Sequence, residues 1–361
     1  MTAPLVFAFA ALVVVVLLLA RGRTPPIDSR RHPHGLAVLE EVPVNGTRQW
    51  VLIRSEDVAN PVVFFIHGGP GTSQLTLMRK HTGPLEPYFT VVNWDQRRAG
   101  KSFNAGRDDA GMTMGQFVDD IIALASYLGA RFDKKKIVLA GHSWGSVIGL
   151  LAVRKRPDLF SAYIGIGQMS HMVESEVLSY EWTLEQARKA NDLSSVRKLE
   201  AMGRPPYTGR QWRSKFLTAR RLLGKHGGEY YGSRSGAFGV VLRNLGFSSE
   251  YTLIDRINFF RGVLQSADAL YPELLRTDLF AEVPEVKVPV YFCLGRHDYE
   301  VPSGLAARYF AALEAPRKQL VWFERSAHLP NVEESNKFNG FMINTVLPAL
   351  PESTGTRAVA C

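Results

Sequence analysis

Residues 135–157 constrain the fold more than any other stretch, because the apolar run KKIVLAGHS passes directly into WGSVIGLLAVRKRP. The first segment is a strand buried on both faces. The second has helical spacing and stops at Pro157, which cannot continue a helix. Between them Gly141, Ser143 and Gly145 fill a G-x-S-x-G pattern. A serine there that only caps the helix needs no glycine on both sides. A serine held in a strained, sharp turn does, because side chains two residues away on either side would collide. The turn lifts Ser143 Oγ above the sheet and points the amides of the helix N-terminus at it. Ser143 is therefore a candidate nucleophile.

The rest of the chain repeats the same rhythm. A weaker strand near Leu36 to Val42 and QWVLIRS (Gln49 to Ser55) read as an antiparallel start. PVVFFIHGG, FTVVNWDQR, FSAYIGIG, VPVYFCLGRHD and KQLVWFERSAH are continuous apolar runs that end in polar residues. TMGQFVDDIIALASYLGARF carries Met114, Phe117, Ile121, Leu124 and Leu128 at helical spacing. The order predicts an α/β fold: a mostly parallel, doubly wound sheet of eight strands. Residues 36–167 and 286–350 form its core. Between 168 and 285 the rhythm becomes helical, with no convincing buried strand, which predicts an inserted helical cap over the carboxyl ends of the strands.

A serine hydroxyl needs a base, itself oriented by an acid. The last two apolar runs end in Asp298 and His328, in the chain order Ser, Asp, His. Glu300 is an alternative acid. His297 and His142 are rival bases, and His142 reads better as a residue that shapes the pocket. Negative charge on an attacked carbonyl also needs amide donors. Trp144, just after the serine, supplies one, and IHGGPGTS supplies the other, with Gly69 first choice and Gly68 second. The AGKS at 99–102 is not a nucleotide loop, since Asp95 stands where the upstream glycine belongs.

HGGPG (67–71), WDQRRAGKS (94–102), GHSWGS (141–146), GRHD (295–298) and SAH (326–328) together resemble the α/β-hydrolase superfamily, in its proline iminopeptidase-like branch. The likeness runs from about residue 36 to 349. It implies a Ser143–Asp298–His328 triad, oxyanion amides at Gly69 and Trp144, and a helical cap closing the site. It also implies that Asp95 and Arg97 form a structural pair behind the site, while Arg98 stands where many relatives carry glycine. Members of that branch remove an amino-terminal proline, with cap carboxylates holding the free amine. Glu174, Glu176, Glu181 and Glu185 are the candidates here, Glu174 and Glu176 foremost. The expected activity is hydrolysis of an amide or ester through an acyl-enzyme, as an aminopeptidase on short peptides. A carboxylesterase or lipase is the alternative, and a catalytically silent membrane-tethered binding protein is the alternative of another class. Dehalogenase and epoxide-hydrolase chemistry needs aspartate at position 143.

No cofactor and no metal are implied, since no side-chain cluster has ligand spacing. Net charge is +9 and the chain has two cysteines, Cys293 and Cys361, so a disulfide scaffold is excluded. Nucleic-acid binding is not expected without a basic motif interleaved with aromatics. The uncharged stretch Ala3–Ala20, followed by Arg21, Arg23, Arg30 and Arg31, predicts a single membrane anchor over 1–23 with the catalytic part on the cytoplasmic side. A secretory signal is the alternative. Residues 24–35 read as a tether and 351–361 as a flexible tail. The basic run from Arg204 to Lys225 contains no acidic residue and offers a face for anionic lipid. Oligomeric state is not legible.

Overall fold

In the computed structural model, which describes residues 7, 22–104, 112–232, 236–246 and 248–351, the apolar runs form one sheet. Its strands are β1 (Leu36–Val44), β2 (Thr47–Ser55), β3 (Val62–Ile66), β4 (Thr90–Asp95), β5 (Ile137–His142), β6 (Phe160–Ile166), β7 (Val290–Gly295) and β8 (Lys318–Phe323). Their order across the sheet is β1-β2-β4-β3-β5-β6-β7-β8. β2 is antiparallel to both β1 and β4, and the remaining neighbours are parallel. The hairpin between β1 and β2 turns on Asn45 and Gly46, both at positive φ, as a two-residue hairpin loop requires.

The helices are α1 (Leu75–Thr82), α2 (Met114–Arg131), α3 (Trp144–Lys155), α4 (Met172–Lys189), α5 (Leu193–Met202), α6 (Trp212–Lys225), α7 (Gly236–Gly246), α8 (Leu253–Leu274), α9 (Leu279–Glu282), α10 (Ser303–Ala312), α11 (Pro330–Glu333) and α12 (Ser335–Phe341). Alternate residues of each strand face opposite layers. Phe64 and Ile66 pack with Phe117, Ile121 and Leu124 of α2 and Val147 of α3. Val63 and Phe65 pack on the other face with Met78 of α1 and with Phe338 and Phe341 of α12. Each such side chain contributes about 1.5–3 kcal/mol by leaving water. This two-sided burial explains why the central strands read as unbroken apolar runs. Helices α4 to α9 stand between β6 and β7, where the rhythm of the sequence changes.

The strand order turns back at β3, which lies between β4 and β5. The carboxyl ends of β3 and β5 are therefore side by side, and a ligand crevice belongs there.

Three expectations are corrected. The stretch Ala3–Ala20 lies, apart from Phe7, outside the described residues, and among the described residues no helix is long and apolar enough to cross a membrane. On that finding the membrane-anchored placement is corrected, and neither the membrane partner nor the tethered binding-protein reading is supported. Four of the seven cations in the basic run are neutralised within the cap. Arg204, Arg213, Arg220 and Lys225 pair with Glu181, Asp268, Glu176 and Asp192, all contributed by other parts of the cap. Asp95 and Arg97 are not each other's partners. Arg97 makes a two-pronged pair with the buried Asp120 at 2.9 Å, while Asp95 accepts from Tyr251 Oη at 2.8 Å and from the Lys101 amide at 2.9 Å. Residues 22–25 are also held in place, since Arg23 N donates to Ser249 O and the buried Arg54 donates to Thr24 and Pro25.

Candidate active site

Ser143 occupies the turn between β5 and α3 with φ 53° and ψ −121°, and its side chain makes no capping hydrogen bond. The capping explanation for this serine therefore fails. A Cβ on Gly141 would overlap Gly145 O, and one on Gly145 would stand 2.5 Å from Ile66 O. The two glycines thus let the turn close on itself and against the end of β3. Ser146 secures it, its amide donating to Ser143 O at 2.8 Å.

The loop after β3 is fixed beside this turn by a buried network. Gln96 N donates to His67 Nε2 at 3.2 Å, so His67 Nδ1 carries the proton and donates to Gly68 O at 2.7 Å. Burial drives the His67 pKa down to about 4, which keeps the ring neutral and this tautomer intact. Gln96 Nε2 donates to His67 O at 2.7 Å, and Gln96 Oε1 accepts from Trp144 Nε1 at 3.0 Å. Gly68 lies close against the turn, since a Cβ there would stand 3.1 Å from Ser143 Cβ. Gly69, at φ 125°, lines the same cavity as Ser143.

Asp298 follows β7 and is buried. Its Oδ1 accepts from the amides of Glu300 at 3.0 Å and Val301 at 2.9 Å. Its Oδ2 accepts from His328 Nδ1 at 2.8 Å. The loop carrying His328 is braced from below: Glu333 Oε1 accepts from the amides of Ala327 and Leu329, and Glu334 Oε2 accepts from Ser326 Oγ. From above, His328 N donates to Glu229 O of the cap at 3.2 Å. To reach toward β5 the imidazole must pass over the tip of β6, where Gly167 has φ 52°. A Cβ at that position would lie 3.1 Å from His328 O and 3.2 Å from its Nδ1. Gly167→Ala is therefore expected to shift the ring by a few tenths of an ångström, lowering kcat about 10-fold, short of the ~10²-fold that a 1 Å misplacement costs. The left-handed backbone adds about 1–2 kcal/mol of destabilisation. Steady-state kinetics with a thermal melt checks both.

His142 packs its ring on that of His328, with centroids 4.8 Å apart, and is joined to His328 O through Nε2 at 2.9 Å. Burial and the neighbouring His328 drive its pKa to about 3, so it is neutral and shapes the site without titrating. His297 points elsewhere, its ring tilted against that of Tyr231 with centroids 4.7 Å apart.

One cavity of about 840 Å³ joins Ser143, His328, Gly69, Glu229, Glu300 and Arg220. Among the described residues, Glu229 and Glu300 are the carboxylates that line it, and neither is one of the amine candidates read from the sequence. Glu174 pairs with Arg308 at 2.6 Å, Glu181 with Arg204 and Glu185 with Lys189, all away from the cavity. Glu176 is buried behind the cavity wall and neutralised by Arg220. Glu300 stands two residues past Asp298 in the tight loop that wraps the acid, a position that could have marked it. Burial works to lower the pKa of His328, but Asp298 and Glu300 prevail and push it up to about 9. Glu229 is raised to about 8 by burial and by the charge of Glu300.

This fold and site define a hydrolase. A model of the alpha/beta hydrolase family matches residues 63–339, and the chain belongs to that family. It is 36% identical to the probable aminopeptidase YbaC of Bacillus subtilis (strain 168) over 307 residues, 84% of this chain and 94% of that protein. It is 25% identical to the proline iminopeptidase of Heyndrickxia coagulans over 76% of this chain and 87% of the relative. Among solved structures, a proline iminopeptidase-related protein from Thermus thermophilus superposes with a TM-score of 0.62. That likeness spans 87% of this chain and all of the other at 18% identity, and it speaks to the fold alone.

Proposed function

We propose that this chain is a serine aminopeptidase of the proline iminopeptidase kind, acting on short peptides through an acyl-enzyme. The observation that carries the reading is the Asp298–His328 pair, joined at 2.8 Å in the wall of the cavity that also holds Ser143 and two inward-facing carboxylates. Ser143 Oγ attacks the carbonyl as His328 Nε2 takes its proton. The amides of Gly69 and Trp144 receive the oxyanion. His328 then gives the proton to the departing amine, the C–N bond breaks, and water repeats the sequence on the ester to release the acid. Asp298 holds Nδ1 protonated and stabilises the imidazolium.

Glu229 and Glu300 take the substrate's free ammonium group. Glu229, raised to about 8, holds its proton at neutral pH until a cation arrives. Amine binding therefore strengthens as pH rises through that value, until the substrate amine itself deprotonates. The apolar lining at Met169, Met172 and Leu274 favours one second reading, an esterase of small esters.

Proline-2-naphthylamide and p-nitrophenyl butyrate separate the two. The aminopeptidase reading expects hydrolysis of both. It also expects Glu229→Gln to lower kcat/KM on the prolyl amide about 10- to 100-fold, the worth of a charged hydrogen bond, and far more than on the ester. Ester cleavage alone would leave the esterase.

A further inference from the structure

The cavity lining is of two kinds. One is polar: Ser143, His328, Glu229, Glu300 and Arg220, with the further cations Lys198, Arg213, Arg221 and Lys225. The other is apolar and comes from three cap helices: Leu217 of α6, Phe238, Val241 and Leu242 of α7, and Val263 and Leu264 of α8. Three of these are both wall and surface, with Leu217 53%, Phe238 44% and Leu264 48% exposed. Among the described residues, the apolar wall therefore keeps a large accessible surface. It continues along α8, where Phe260 and Ile257 are also exposed. Phe260 lies four residues before Leu264 and Ile257 three before Phe260, which puts all three on one helix face.

Volume and polarity together say what fits. A cavity of about 840 Å³ lies in the upper part of the range that takes a whole drug-sized ligand. A single prolyl residue fills a fraction of it. If the carboxylates beside His328 hold the amine, the acyl part of the substrate is short and confined between them and Ser143. The remaining space then lies on the departing side of the scissile carbonyl. Exposed apolar side chains that continue a buried apolar wall mark a surface that is covered when a ligand is bound.

The geometry points to a substrate class: N-terminal amino-acid amides whose departing amine carries an extended apolar group, alkyl or aromatic, seated in the trough between α6, α7 and α8. This rests on the aminopeptidase reading and narrows it. Such a group is held by burial alone, so affinity grows with its length. A departing group of short polar residues gains nothing from this wall.

The test is a ladder of prolyl n-alkylamides, from propyl through hexyl to nonyl, hydrolysed by the full chain below any micelle concentration. Within the trough each added methylene raises kcat/KM about two- to fourfold, the upper figure being full burial of a CH₂. Leu264→Asp and Phe238→Asp, both at partly exposed positions that tolerate charge, flatten that slope. A flat or falling ladder in the wild-type protein, or a slope that neither variant changes, overturns the trough while hydrolysis of the ladder keeps the aminopeptidase reading. Failure of every prolyl amide, with ester hydrolysis through Ser143 intact, overturns that reading and the trough with it.

Discussion

Replacing Ser143 by alanine is expected to lower kcat by about 10⁵-fold on both amide and ester substrates, leaving only what the oxyanion amides and substrate binding supply. The size of the loss follows from the proposed mechanism. Without Oγ there is no acyl-enzyme, and water must attack unassisted in the first step. The fold should be indifferent to the change. Ser143 makes no capping bond, its backbone is held by Ser146 and the flanking glycines, and alanine tolerates the same φ about as well as serine does. An unchanged melting temperature beside lost turnover, and loss of labelling by a fluorophosphonate, would together separate a chemical role from a structural one. Turnover within a few fold of wild type would remove Ser143 from the mechanism.

The fold is legible because its central strands are buried on both faces, which leaves a signature that needs no partner to be read. Val62–Ile66 and Ile137–His142 announce themselves as unbroken apolar runs, the first leading into the loop of Gly69 and Pro70 and the second into His142 and Ser143, all of which line the cavity. The residues at these ends are legible for the same reason: a strand tip is a place that topology specifies. Carboxylates of the cap have no such frame. Glu229 sits in an irregular segment between α6 and α7, with no period to say which way a side chain points. Glu174 and Glu176 lie on a regular helix, yet their direction is decided by Arg308 and Arg220, which are distant in sequence. The pairing of the basic run is hidden by the same logic, since the acids that neutralise four of its cations come from other parts of the cap. Arg98 is a milder case. It adopts φ 61°, the left-handed conformation that favours glycine, and Arg98 Nη1 donates to Gln265 Oε1 of the cap helix at 3.2 Å. A cap contact accompanies the residue that bears the strain.

Asp298→Asn carries the second large effect, a fall in kcat of about 10⁴-fold with the site's geometry preserved. The reason lies in the tautomer. Oδ1 of Asp298 accepts two backbone amides, from Glu300 and Val301. An asparagine must keep its carbonyl oxygen there, because its NH₂ group would clash with two donors. The NH₂ is then turned toward His328 Nδ1, which becomes an acceptor and leaves the proton on Nε2, the nitrogen that should receive one from the serine. The charge change acts in the same direction. Asp298 is the larger of the two carboxylate influences, Glu300 being the other, that lift His328 to about 9. In the wild-type enzyme kcat/KM on a neutral ester therefore rises with pH through an acid limb near that value, as the imidazolium gives up its proton. Removing the Asp298 charge lowers the imidazole pKa, so the limb of the residual activity moves to lower pH. Glu300 cannot take over, because its nearest approach is 3.9 Å from Nε2, on the wrong side of the ring to hold Nδ1. A variant that kept a tenth or more of wild-type turnover, with its acid limb unmoved, would show that the orienting acid is not Asp298.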